Sequence, residues 1–197
     1  MHDPLRAAPW TAVREGSGRL GLYHDLAEEL DALLRGETDP VANAANTAAA
    51  IYHSLPDLNW VGFYFVRGQE LVLGPFQGKP ACVRIPLGKG VCGTAAAERR
   101  SVLVADVHAF PGHIACDAAS RSELVVPLLA KAGLSDAGVL GVLDLDSPLP
   151  GRFDATDQAG CEVIAAVLMR HLSADQLPQA DRVACSVLNC RAAPRAL

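Results

Sequence analysis

The apolar positions recur first every three or four residues, and later every second residue. Leu22, Leu26, Ala27, Leu30, Leu33 and Leu34 form one helical stripe, stopped by Gly36. Asp39-Pro40 opens a second helix, whose stripe is Val41, Ala44, Ala48, Ile51, Tyr52 and Leu55, closed by Pro56. From Asn59 the pattern shortens. NWVGFYFV, the turn Arg67-Gly68-Gln69 and the return over 70–73 predict a β-hairpin, followed by GPFQGKPA as a turn and a strand over 82–86. LGKGVCG reads as a glycine-rich turn feeding a short helix over 91–99. Strands are then predicted over 101–107, 122–130 and 138–145, the last two separated by the polar segment 131–137. A final helix over 153–172 has Asp154 as its N-cap and buries Ile164, Val167, Leu168 and Leu172. The order predicts an α+β domain: a central antiparallel sheet flanked by N-terminal and C-terminal helices. Residues 1–20 read as an N-terminal extension, 21–173 as the domain and 174–197 as a C-terminal tail.

Half of the 197 residues are apolar, enough for one sizeable core. Seventeen basic against 22 acidic residues give a net charge of −5 with no long basic run, which argues against nucleic acid as a partner. No apolar run is long enough to span a bilayer, so no membrane partner is expected. The opening MHDPLRAAPW lacks a secretory core, so a cytoplasmic location is expected. In that reducing compartment the six cysteines read as thiols for redox or metal chemistry.

Three of them stand in conspicuous settings. Cys82 begins a strand after a turn, Cys92 sits in GKGVCG at a helix start, and Cys116 follows the break at Pro111-Gly112 in FPGHIACD. A helix N-terminus and nearby Lys89 favour a thiolate at Cys92; His113 favours one at Cys116, and Asp117 opposes it. The residues alone do not choose among the three. A zinc site of Cys82, Cys92, Cys116 and His113 is the other reading, although the spacing fits no common zinc pattern. Cys161 reads as core packing, and Cys185 and Cys190 fall in the tail.

Glu123 opens the strand ELVVPLL, and Asp144 and Asp146 share one face of VLDLDS by their period of two. The bland reading is exposure near a strand end. The functional one is a pocket that takes an ammonium group, or that keeps a carboxyl protonated for donation. In the hairpin, Val61, Phe63 and Phe65 make the better core face, which leaves Trp60 and Tyr64 free to face a ligand.

The segments SLPDLNWVGFY, LVLGPFQGKPACVRI, GKGVCG, ADVHAFPGHIACD, SRSELVVPL and GVLGVLDLDS follow one another from 54 to 147. Together they closely resemble the free methionine-(R)-sulfoxide reductases, enzymes built on a single GAF domain. The resemblance covers roughly residues 22–172. It implies a thiol-dependent oxidoreductase that reduces free L-methionine-(R)-sulfoxide, uses no bound cofactor or metal, and is recycled by the external dithiol thioredoxin. A homodimer is expected. By the same resemblance Cys116 is the nucleophile, Cys82 the resolving thiol and Cys92 an auxiliary one. Glu123, Asp144 and Asp146 match the acids that hold substrate and assist protonation, and Trp60 matches the aromatic on the substrate methyl group. A non-catalytic GAF-type redox or small-molecule sensor is the alternative, because GAF folds also serve as binding modules. The segment 131–138 and both arms depart from the family pattern.

Overall fold

The short polar signals at the helix ends act as their chemistry suggests. Asp39 Oδ1 accepts the backbone N–H groups of Val41 and Ala42 at 2.8 and 2.9 Å, opening α2. Asp154 accepts from Thr156 and Asp157, while Asp157 accepts from the Asp154 N–H, a capping box that opens α4. The computed structural model describes residues 18–114, 117–130 and 138–172. Its elements are α1 (Arg19–Leu33), α2 (Pro40–Ser54), β1 (Trp60–Arg67), β2 (Glu70–Gly78), β3 (Arg84–Pro86), α3 (Gly90–Glu98), β4 (Val102–Val104), β5 (Ser122–Leu129), β6 (Val139–Ser147) and α4 (Ala155–His171). The strands form one six-stranded antiparallel sheet in the order β3-β2-β1-β6-β5-β4. The expected α+β class holds.

Three strands differ from their predicted lengths by two residues or more. β2 runs on to Gly78, through residues predicted to turn, because β1 is long enough to pair with it from Arg67 back to Trp60. The register shift between Gly62 and Tyr64 accommodates Gly74 and Pro75, the place in a ladder where proline is tolerated. β3 begins only at Arg84, so Cys82 precedes the strand rather than starting it. β4 is three residues long, and the chain then enters a 3₁₀ turn, Val107–Ala109, which Asp106 caps by accepting the His108 N–H.

The sheet separates two apolar clusters. On one face Val61, Phe63, Phe65, Leu124, Leu143 and Leu145 pack against α1, α2 and α4. On the other, Trp60, Tyr64, Val125 and Val142 pack against Cys92, Ala95 and Ala96 of α3. Cys161 is fully buried on the helical side, where burial pushes its thiol up to about 12, in keeping with a packing role. Cys185 and Cys190 lie outside the described residues.

α1 and α4 run parallel. Arg19 binds Asp154 at 2.7 Å at their N-terminal ends, and Asp31 accepts from Arg170 at 2.8 Å at their C-terminal ends. Asp157 is the buried hub of this contact. Its carboxylate receives the Tyr23 hydroxyl at 2.9 Å, Arg19 at 3.1 Å and Arg152 at 3.2 Å. Asp157→Ala removes the counter-charge of a nearly buried guanidinium and a partner of a buried hydroxyl, a loss of about 3–5 kcal/mol for a broken buried pair. For a domain of this size that lowers Tm by about 6–20 °C. Thermal melting followed by far-UV circular dichroism measures it, and an unchanged Tm would show that the hub contributes nothing.

Candidate active site

Strand register assembles the site. Trp60 on β1 lies opposite Asp146 on β6, which lies opposite Glu123 on β5; one step of two along the ladder, Gly62, Asp144 and Val125 align in the same way. All of these residues therefore project from one face, the face that α3 covers. α3 starts at Gly90, whose φ of +61° is in the left-handed region, and an added Cβ there would meet the Ile114 side chain at 3.3 Å. This turn places Cys92 in the first turn of α3 and over the carboxylates, with its sulfur 3.8 Å from Glu123 Oε1.

A narrow cavity of about 30 Å³ lies between these elements, lined among others by Tyr64, Cys92, His113, Glu123, Asp144 and Asp146. A smaller neighbouring recess brings in Trp60, Pro80 and Ala81. The carboxylates are not exposed. Glu123 and Asp144 are each only 6% accessible, and Oδ1 of Asp144 has no hydrogen-bond partner. Burial and the mutual repulsion of the three acids raise Glu123 well above the ordinary carboxyl range. Burial pushes Asp144 up to about 7 and raises Asp146 well above its usual value, with the Asp144 charge adding to the latter. At neutral pH the cluster therefore retains protons.

Cys92 departs from its expected character. The helix start and Lys89 predict a lowered thiol pKa, yet burial, Asp144 and Glu123 raise it well above the usual value. Cys92 is a free, protonated thiol, whereas Cys82 is disulfide-bonded. Cys116 lies outside the described residues; its neighbours Ile114 and Asp117 both line the cavity. Trp60 and Tyr64 are buried rather than open to solvent. Trp60 stacks on Phe76 and Tyr64 with ring centroids 5.4 and 5.9 Å apart, and its indole N–H donates to the Lys79 carbonyl at 3.1 Å. The Tyr64 hydroxyl donates to the Cys82 carbonyl at 3.1 Å. Both rings thus serve as core and as cavity wall.

The family model for the GAF domain matches residues 29–172. "Protein YtsP" of Bacillus subtilis is 52% identical over 153 residues, which cover 77% of this chain and 91% of that protein. "Free methionine-R-sulfoxide reductase" of Escherichia coli is 51% identical over 151 residues, covering 77% of this chain and 88% of the relative. The chain belongs to the GAF-domain family of free methionine-R-sulfoxide reductases. A solved free methionine-R-sulfoxide reductase from Neisseria meningitidis, in complex with its substrate, superposes with a TM-score of 0.73 at 45% identity, covering 80% of this chain and 92% of that one.

Within this member of the reductase family, three groups at or beside the cavity, Asn59, Lys79 and Ser120, carry weight that the sequence did not assign to them. Asn59 donates to Asp117 at 3.2 Å and to Ser120 at 3.0 Å, tying the start of β1 to the segment that follows Cys116. The Ala119 backbone N–H, then Asn59 and then Lys79 at 3.6 Å hold the Asp117 carboxyl below its usual range. His113 Nε2 stands 3.9 Å from Glu123 Oε2, and burial lowers its basicity. The only sequence signal for Asn59 and Ser120 was their place inside the quoted motifs.

Proposed function

We propose that this protein reduces free L-methionine-(R)-sulfoxide to methionine. The observation that carries the reading is the cluster of buried Glu123 and Asp144 and half-buried Asp146 on one sheet face beside a thiol, with one Asp144 oxygen unpartnered. A free amino acid brings an α-ammonium to such a group; a peptide-bound sulfoxide brings none and leaves the acids unpaired. The first turn of α3, where no side chain caps the N–H groups, suits the α-carboxylate.

In this mechanism the thiolate of Cys116 attacks the sulfoxide sulfur, and Glu123 supplies the proton that the oxygen takes up. Methionine leaves, and Cys116 becomes a sulfenic acid, oxidised by the two electrons that reduced the substrate. The Cys82 thiol attacks that sulfur, forming the Cys116–Cys82 disulfide and releasing water. That Cys82 is found disulfide-bonded supports its place in a redox pair. A dithiol, for which we propose thioredoxin, restores both thiols by exchange. The reduced working state fits a cytoplasmic enzyme, and a homodimer is the proposed assembly. Cys92, buried and protonated, serves as the auxiliary thiol, and Trp60 walls the space for the substrate methyl group. No helix among the described residues is long and apolar enough to cross a membrane.

The test is NADPH oxidation coupled through thioredoxin and its reductase. Turnover is expected with the free R epimer and neither with the free S epimer nor with an N-acetylated, C-amidated R-sulfoxide. Equal turnover of the blocked compound would remove the ammonium argument. No turnover of any substrate by folded, reduced protein would remove the enzyme reading and leave the cysteines as a switch.

A further inference from the structure

The groups that line the cavity also form a donor set for a metal ion. Cys92 Sγ, one Glu123 oxygen and one Asp144 oxygen all lie within 4.8 Å of one another, and all three residues are buried. A tetrahedral ion with a metal–sulfur distance of about 2.3 Å and metal–oxygen distances of about 2.0 Å needs its sulfur and oxygen ligands roughly 3.5 Å apart. The observed separation of Cys92 Sγ from Glu123 Oε1 is 3.8 Å, so for this pair a shift of a few tenths of an ångström suffices.

Asp144 Oδ1 is a second, independent pointer. It is buried, belongs to a side chain that lines the cavity, and has no hydrogen-bond partner. A buried carboxylate oxygen without a donor is costly, and a cation beside it removes that cost. Among the described residues no lysine or arginine lines the cavity to fill that role. The fourth position of a tetrahedral ion is left to a water or a small anion.

We propose that this cavity binds a single zinc-class divalent cation through Cys92, Glu123 and Asp144, and that the bound ion excludes the substrate. One thiolate with two carboxylates suits zinc better than magnesium or calcium, which take all-oxygen sets. Cys92 is free while Cys82 is disulfide-bonded, so the site exists in the oxidised protein as well. Exclusion of substrate rests on the reductase reading; binding of the ion does not.

The experiment titrates full-length, untagged, metal-stripped protein with cobalt(II), then with zinc against a chromophoric chelator. One cobalt per chain is expected, with a sulfur-to-metal charge-transfer band in the near ultraviolet that zinc abolishes by displacement. The band should persist when Cys82, Cys116, Cys185 and Cys190 are all serine, and vanish in Cys92→Ser. Asp144→Asn, which keeps the side-chain shape, should weaken zinc binding by at least about a hundredfold, because even outer-sphere changes cost about ten- to a hundredfold. A band that survives Cys92→Ser, a band lost with the four other cysteines, or unaltered zinc affinity in folded Asp144→Asn would each overturn the site. Zinc should also raise KM for free methionine-R-sulfoxide. If the protein proves not to be a reductase, the cobalt band is still expected, so the two readings fail separately.

Discussion

Cys116→Ser is expected to abolish sulfoxide reduction completely, including the first turnover, whereas Cys82→Ser keeps one turnover and then stalls. The contrast follows from where each thiol enters the chemistry. A serine hydroxyl is a hard nucleophile that is un-ionised near neutral pH, so it neither attacks the sulfoxide sulfur nor takes up the oxygen. Without Cys82 the first step is intact, and the sulfenic acid at Cys116 persists because its partner is missing. Quenched-flow measurement of methionine released per enzyme, with no reductant present, separates the two: none for Cys116→Ser and about one equivalent for Cys82→Ser. Trapping with dimedone, which reacts with sulfenic acids, should label only the second variant. Cys92 is the obvious rival nucleophile by position, and its protonated, acid-flanked thiol is the reason to expect no residual activity from it. Residual turnover in Cys116→Ser would move the nucleophile to Cys92.

Glu123→Gln should have opposite effects on activity and on stability. The amide cannot supply a proton to the departing oxygen, and loss of a general acid lowers kcat by about 10²–10⁴-fold. The fold, by contrast, should gain. Glu123 is buried opposite Asp146 and beside Asp144, and its pKa is raised in the folded state. A group of this kind contributes stability below its unfolded pKa of about 4.3, and that contribution is lost as pH rises toward and through the folded value. Asp144, pushed up to about 7, behaves in the same way. Glutamine keeps the shape and carries no charge to bury. The Tm of Glu123→Gln should therefore exceed that of the unaltered protein, with a gap that widens from mildly acidic to mildly alkaline pH. Differential scanning calorimetry across that range, with steady-state kinetics on the same samples, checks both. A lower Tm together with lower kcat would indicate plain structural damage, and an unchanged kcat would remove Glu123 as the proton donor.

The legible part of the fold was the part written locally. Asp39-Pro40 and Asp154 cap helices with their own side chains, and the period of two in VLDLDS places both aspartates on one face without reference to the rest of the chain. Where local cues misled, a partner distant in sequence decided. Gly74 and Pro75 read as a turn, but the register shift in β1 absorbs them into a strand. The character of Cys92 was hidden for the same reason. Its helix start argues for a thiolate, and what reverses this, burial first and then Asp144 and Glu123, arises only once β5 and β6 pair beneath α3. The recognisable motifs marked where the chemistry lies; they did not say that the acids would be buried together, nor that Asn59 would hold the segment beyond Cys116.

The parallel pairing of α1 with α4 has a practical outcome for anyone attaching the protein to a surface. Gly18 lies at one end of this helix pair and Leu172 at the other, separated by roughly the length of a 15-residue helix, about 22 Å. Both lie behind the sheet, while α3 and the cavity lie in front of it. An electrode, bead or fluorescent partner joined directly at Gly18 or Leu172 therefore sits on the helical side of the sheet, opposite the cavity.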